Sequence, residues 1–140
     1  MFIDASAIVA ILGREPDAAE LAGRLNAVRS GPFVSPMVIV EATLSLASKI
    51  ARETGLPRDS ELIDNSHKAV LEFVEALGAR QITISGDIGT KAVEAASAYG
   101  KAVGHPAQLN LGDCFAYACA KAYRVPLLYK GNDFTHTDLA

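Results

Sequence analysis

The sequence predicts a three-layer α/β domain, a central parallel sheet of four to five strands with helices on both faces, and three observations lead there. Short apolar runs alternate with longer helical stretches along the whole chain. Those runs are apolar at every position rather than at alternate ones, which is the pattern of strands buried on both faces. The chain has 140 residues, 50% hydrophobic and 21% charged, with no internal repeat, low-complexity tract or linker. That suits one compact unit and excludes disorder. A globular chain of this length buries about 68–70% of its unfolded surface, so neither disulfides nor structural metals are needed to hold its core.

Taken in order, Phe2-Ile3 is the first strand, leading into Asp4-Ala5-Ser6. The apolar run Ala7 to Leu12 is too long for another strand without a turn and reads as a buried helix. Pro16-Asp17 followed by Glu20 is a capping-type start for a helix from Asp17 to about Val28, with Leu21, Leu25 and Val28 at helical spacing. Phe33-Val34-Ser35 is the second strand. Pro36 at a helix entrance opens a long helix from about Met37 to Glu53, closed by Gly55 and Pro57. Asp59 or Ser60 caps a helix to Leu77, whose apolar stripe includes Leu62, Val70, Phe73 and Val74 and whose left-handed terminus is Gly78.

Gln81 to Ile84 is the third strand, and Ser85 caps a helix to about Tyr99, stopped by Gly100. A polar loop through Gly104-His105-Pro106 leads to Asn110-Leu111-Gly112-Asp113 and a helix ending at Tyr123. Pro126 to Tyr129 is the fourth strand, followed by the turn Lys130-Gly131-Asn132-Asp133. Whether the tail from Phe134 to Ala140 adds a fifth, edge strand is left open by the pattern. Cys114 and Cys119 lie five apart in one helix, about 140° around its axis, and cannot bridge, so they read as reduced core residues. No apolar run nears the ~18 residues of a membrane span, and no basic stretch precedes an apolar one at the N-terminus. The expected location is the cytoplasm, with no membrane contact.

Ligand sites in open parallel sheets form in the crevice at the carboxyl ends of the strands. Asp4 follows the first strand and Asp133 the fourth. Glu41 and Asp113 enter helices among residues that are almost wholly apolar, where an uncompensated carboxylate costs several kcal/mol or takes up a proton. Four such acids converging in one crevice would repel one another, and a divalent metal is the natural counterweight. Oxygen-only ligands favour Mg²⁺ or Mn²⁺. Zinc is disfavoured, because His67, His105 and His136 are scattered and no CxxC spacing exists. The net charge of −3 argues little against a nucleic-acid partner, since setting the four acids aside would turn it into +1.

Each residue also has an ordinary reading. Asp4 and Ser6 suit helix caps, Asp113 a first-turn dipole partner, and Asp133 a turn. Glu41 fits neither a cap nor a turn, although a buried pair with an arginine would explain it. Lys130 suits a phosphate contact or a solvated strand exit. Arg14, Lys49, Arg52 and Arg58 suit an RNA path, a partner surface or plain helix ends. Tyr117 and Tyr123 suit base stacking or, more simply, packing.

The segments Met1 to Ala7, Ser35-Pro36 to Val40-Glu41, Leu109 to Ala118 and Pro126 to Phe134 together resemble PIN-domain ribonucleases of the VapC toxin type. The order Asp, Glu, Asp, Asp, with the segments L-N-x-G-D and K-G-N-D-F, is the specific part. The resemblance spans the chain and implies a single PIN domain over residues 1–140. It implies a Mg²⁺-dependent endoribonuclease toxin, with Mn²⁺ as a substitute, hydrolysing RNA by metal-activated water without a covalent intermediate. It further implies a homodimer, entering larger toxin–antitoxin assemblies, that is silenced by a small VapB-like antitoxin. Carried over by position, Asp4 and Asp113 match the principal metal ligands, and Glu41 and Asp133 match acids that hold water or a second ion. Ser6 matches the supporting hydroxyl. Two other classes remain in view: aspartate-based phosphoryl transfer, disfavoured because Ser6 stands where a D-x-D motif needs its second acid, and a catalytically silent metal-binding interaction module.

Overall fold

A computed structural model describes the whole chain from Met1 to Ala140. Its elements are β1 (Phe2–Ile3), α1 (Ala5–Leu12), α2 (Ala18–Asn26), β2 (Phe33–Val34), α3 (Pro36–Thr54), α4 (Ser60–Ala76), β3 (Arg80–Gln81), α5 (Gly86–Tyr99), a 3₁₀ turn (Lys101–Val103), α6 (Leu111–Tyr123) and β4 (Leu127–Leu128). The sheet is wholly parallel in the order β3-β2-β1-β4, with Phe2 opposite both Phe33 and Leu127. Successive crossovers β1→β2→β3 run one way along the sheet, and β3→β4 returns past β1. Right-handed connections therefore put α1 to α4 on one face and α5 and α6 on the other. The packing agrees, since α1 meets α2, α3 and α4 while α5 meets α6. The central strands are sealed between these layers, Phe2, Ile3, Val34 and Leu128 having no exposed surface.

The reversal of strand order falls between β1 and β4. This is the switch point at which a crevice opens beyond the strands' carboxyl ends. Asp4 leaves β1 there, and Lys130 to Asp133 leave β4.

Three expectations are revised and one open point is settled. The first helix begins at Ala5 rather than Ala7, because the Asp4 carboxylate caps it by accepting the Ser6 N–H at 2.9 Å. Asp17 makes no capping hydrogen bond on α2. The third strand pairs only at Arg80 and Gln81, with Ile82 N–H donating once more to the Val34 carbonyl at 2.9 Å before the chain turns toward α5. No fifth strand forms, and the sheet has four. The tail is a series of turns anchored by buried Phe134 and Thr137 and by Asp138, which accepts hydrogen bonds from Tyr117 Oη and Lys121 Nζ, each at 2.7 Å. With Asn132 and Phe134 carbonyls accepting from the Thr135 and Thr137 hydroxyls, local bonds satisfy this stretch without a ladder.

Candidate active site

Asp4, Ser6, Glu41, Asp113 and Asp133 all line one pocket of about 290 Å³ at the switch point. The sequence scatters them over 130 residues, and four local devices aim them. Asp4 is 4% exposed. Its Oδ2 accepts from both the backbone N–H and the hydroxyl of Ser6, while its own N–H donates to the Leu128 carbonyl at 2.9 Å. Ser6 Oγ in turn accepts the Lys130 N–H at 3.0 Å, which fastens the exit of β4 to the exit of β1.

Asp113 stands in the first turn of α6 within a reciprocal capping box. Its Oδ2 accepts the Asn110 N–H at 2.8 Å, and Asn110 Oδ1 accepts the Asp113 N–H at 3.1 Å. Glu41 lies in the second turn of α3, where Ser35 caps the helix and Pro36 starts it. Its carboxylate rests against Gly112 so closely that a Cβ at that position would overlap it. The α3–α6 approach is built around this pairing of a glutamate with a residue that has no side chain. Asp133 is exposed, beyond a turn in which Gly131 takes φ +90°.

The electrostatics are one-sided. Burial pushes the Glu41 carboxyl up to about 7, and the charges of Asp4 and Asp113 add to the rise with no hydrogen bond or cation opposing it. Burial likewise lifts Asp113 to about 6, the Asn110 N–H pulling back and the charges of Asp4 and Asp133 pushing further. Asp4 is also raised, by burial first, against the lowering effect of Ser6. No ion pair of the protein includes any of these four acids, so the arginine partner that would have made Glu41 structural does not exist. As the side chains stand, no three close tightly enough to enclose an ion. Magnesium keeps several waters and takes only one or two carboxylates directly, so an open ring of acids suits it. Oxygen donors alone, lifted carboxyls and no salt bridge to any of the four acids together fit a hard divalent cation.

The pocket also takes in Glu15, Ser45, Asn110 and Lys130. Glu15 and Ser45 escaped the sequence reading, as did the cradle at Gly112. The glycine left a trace: a Gly in a helix's first turns is about 1 kcal/mol poorer than Ala and asks for a packing reason. The tyrosines take the plain reading, Tyr123 tilted against Phe33 with centroids 5.1 Å apart and Tyr117 bonded to Asp138.

Comparison with known proteins adds the lineage. The PIN-domain family model matches residues 1–139. A VapC ribonuclease of Rhizobium meliloti (strain 1021) is 47% identical over 139 residues, covering 99% of this chain and 98% of that protein. Ribonuclease VapC30 of Mycobacterium tuberculosis (strain ATCC 25618 / H37Rv) is 34% identical over 145 residues, covering 100% and 96%. Among solved structures, a toxin–antitoxin complex from Klebsiella pneumoniae superposes with TM-score 0.67 at 16% identity, over 99% of this chain and 92% of that one. The sarcin–ricin-loop-cleaving toxin VapC20 of Mycobacterium tuberculosis gives 0.65 at 14% identity, over 96% and 92%. These last two likenesses speak for the fold alone.

Proposed function

The chain belongs to the PIN-domain family, among the VapC ribonucleases, and on that premise we propose that it is a Mg²⁺-dependent endoribonuclease toxin of a VapBC-type system. The observation that carries the reading is the meeting of Asp4, Glu41, Asp113 and Asp133 in one pocket with none of them in a salt bridge. When bound, a divalent ion, Mg²⁺ or in its place Mn²⁺, supplies Lewis acidity toward a phosphate oxygen and toward water.

The residues divide the remaining work. Asp4 and Asp113, the two buried acids, would hold the ion, with Glu41 and Asp133 completing the oxygen set. Ser6 keeps the Asp4 carboxylate turned into the pocket through its two hydrogen bonds. The Glu41 carboxyl, raised in the metal-free pocket by burial and by the charges of Asp4 and Asp113, is an acid that gains strongly from the ion's counter-charge. None of the three histidines lines the pocket, which leaves the carboxylates as its proton acceptors. A homodimer and a small VapB-like antitoxin complete the assembly that this reading expects, in the cytoplasm. No helix is long and apolar enough to cross a membrane.

The test is cleavage of single-stranded RNA with Mg²⁺, and its loss in Asp4→Asn and Asp113→Asn. Removing a principal ligand forfeits several kcal/mol of transition-state stabilisation, so the rate should fall by roughly 10³-fold or more. Circular dichroism should meanwhile report an intact fold. Cleavage that survives both substitutions, or that proceeds fully in a chelator, refutes the proposal.

A further inference from the structure

We propose that Lys130 is the cation that receives the RNA phosphate at this pocket, and that Glu15 is a positioning residue that holds its ammonium at the pocket mouth, away from the four acids. The inference rests on the nuclease reading and names how that site engages its polyanionic substrate.

Lys130 is the one cationic side chain lining the pocket, and it is tethered at both ends across the chain. Its backbone N–H donates to Ser6 Oγ at 3.0 Å. Its ammonium pairs with Glu15 Oε2 and lies 3.6 Å from Asp17 Oδ1, while 35% of the side chain stays exposed. Glu15 is itself held: Lys49 grips its other oxygen at 3.2 Å and meets Glu53 at 2.7 Å. Glu15 and Lys49 are 18% and 15% exposed, so this is a partly buried frame rather than a loose surface contact.

Two physical demands account for such a frame. An ammonium on a flexible four-carbon stem, close to four uncompensated carboxylates, is drawn to them and would fill the place of a metal. Glu15 and Asp17 offer a competing anchor outside that ring. RNA, in turn, is repelled by the acids until its phosphate meets a positive group. A compact, partly exposed ammonium beside the reacting position is suited to that contact. Asp17 Oδ1 has no hydrogen-bond donor, so it adds charge to the anchor without locking the lysine in place. The competing account is a staple joining the turn between α1 and α2 to the exit of β4.

The experiment measures KM and kcat for a fluorophore–quencher single-stranded RNA of randomised sequence over a range of salt, alongside thermal shifts with Mg²⁺ alone. Lys130→Met, which keeps the apolar stem, should raise KM about tenfold, the scale of one charged hydrogen bond, with kcat within about threefold. The dependence of log KM on log salt should flatten by about 0.7, one phosphate contact on a single strand. Lys130→Arg should restore that slope. Glu15→Gln frees the lysine to swing inward, so the Mg²⁺ concentration giving half the thermal shift should rise several-fold. Adding Lys130→Met to Glu15→Gln should return it to the original value. A staple alone predicts a lower Tm for Lys130→Met with KM and salt slope unchanged, and that result overturns the proposal while leaving the nuclease standing. Absence of RNA cleavage by the unsubstituted protein with either Mg²⁺ or Mn²⁺ overturns both.

Discussion

Glu15, Asp17 and Glu53 are each within reach of Lys49 or Lys130, whereas Asp4, Glu41, Asp113 and Asp133, around the same pocket, meet no cation. Both groups are acids brought together where α1, α3, α6 and the exit of β4 meet, yet they bear on the fold in opposite ways. A paired acid helps hold the elements it joins. An unpaired, buried one opposes folding, and its persistence points to a counter-charge that comes from outside the chain. The contrast separates structural charge from functional charge more sharply than burial does, because Glu15 and Asp113 are both largely buried.

The largest effect on the unpaired side, short of removing an acid, should come from Gly112→Ala. The added methyl takes the space of the Glu41 carboxylate, and the flexible end of Glu41 yields before the backbone does. RNA cleavage should fall roughly 10–100-fold, the range for residues that orient metal-site ligands, with the Tm nearly unchanged. An equal fall in Tm would show that α3 and α6 themselves had separated, and would remove Gly112 from the site.

Next in size is a difference of sign with pH. The folded-state carboxyls of Glu41 and Asp113 lie above their ordinary values, at about 7 and about 6, so the folded protein binds more protons than the unfolded chain between about pH 4 and pH 7. Metal-free stability should therefore be greatest below that window and decline as pH rises through it. A Tm drop of several degrees is expected from about pH 5 to about pH 8, measured in chelator. Glu41→Gln should flatten this decline and raise the metal-free Tm at about pH 8, and Mg²⁺ should stabilise that variant less than the parent. A metal-free Tm that climbs over this range would mean that the acids are compensated after all.

Much of this contrast can be read from the chain itself, for reasons that differ by residue. Asp4 and Asp133 follow from where strands end, and Glu41 from the lack of any cap or turn to explain a carboxylate there. Asp113 announces itself by the apolar helix behind it. These are local signals, and the switch-point rule does the rest. The salt-bridge frame has no such signal: Glu15 and Lys130 are 115 residues apart, each looks like an ordinary surface charge, and only the tertiary fold joins them. The same holds for the tail, whose pattern allowed a strand while Phe134 and Asp138 found partners on the body of the protein instead. The third strand pairs over two residues, as every strand of this sheet does, a length that an apolar run through Ile84 does not announce.

The smallest effect marks the exposed limit of the paired class. Asp138 is held below its usual range by Lys121 and then by Tyr117, so its contribution has the opposite pH sign from that of Glu41. It is present above the ordinary aspartate pKa and is lost as pH falls through the lowered one. Its side chain is 49% exposed and that of Lys121 41%, and solvent screening holds such a pair to roughly 0.2–1 kcal/mol. Asp138→Asn should lower the Tm by about 1–3 °C near neutral pH and by less in acid, and raised salt should shrink the difference. A loss well beyond this would mean that the tail's attachment, rather than Phe134 beneath it, governs how the C-terminal turns stay on the body. The exit of β4, and with it Asp133, would then depend on a surface pair.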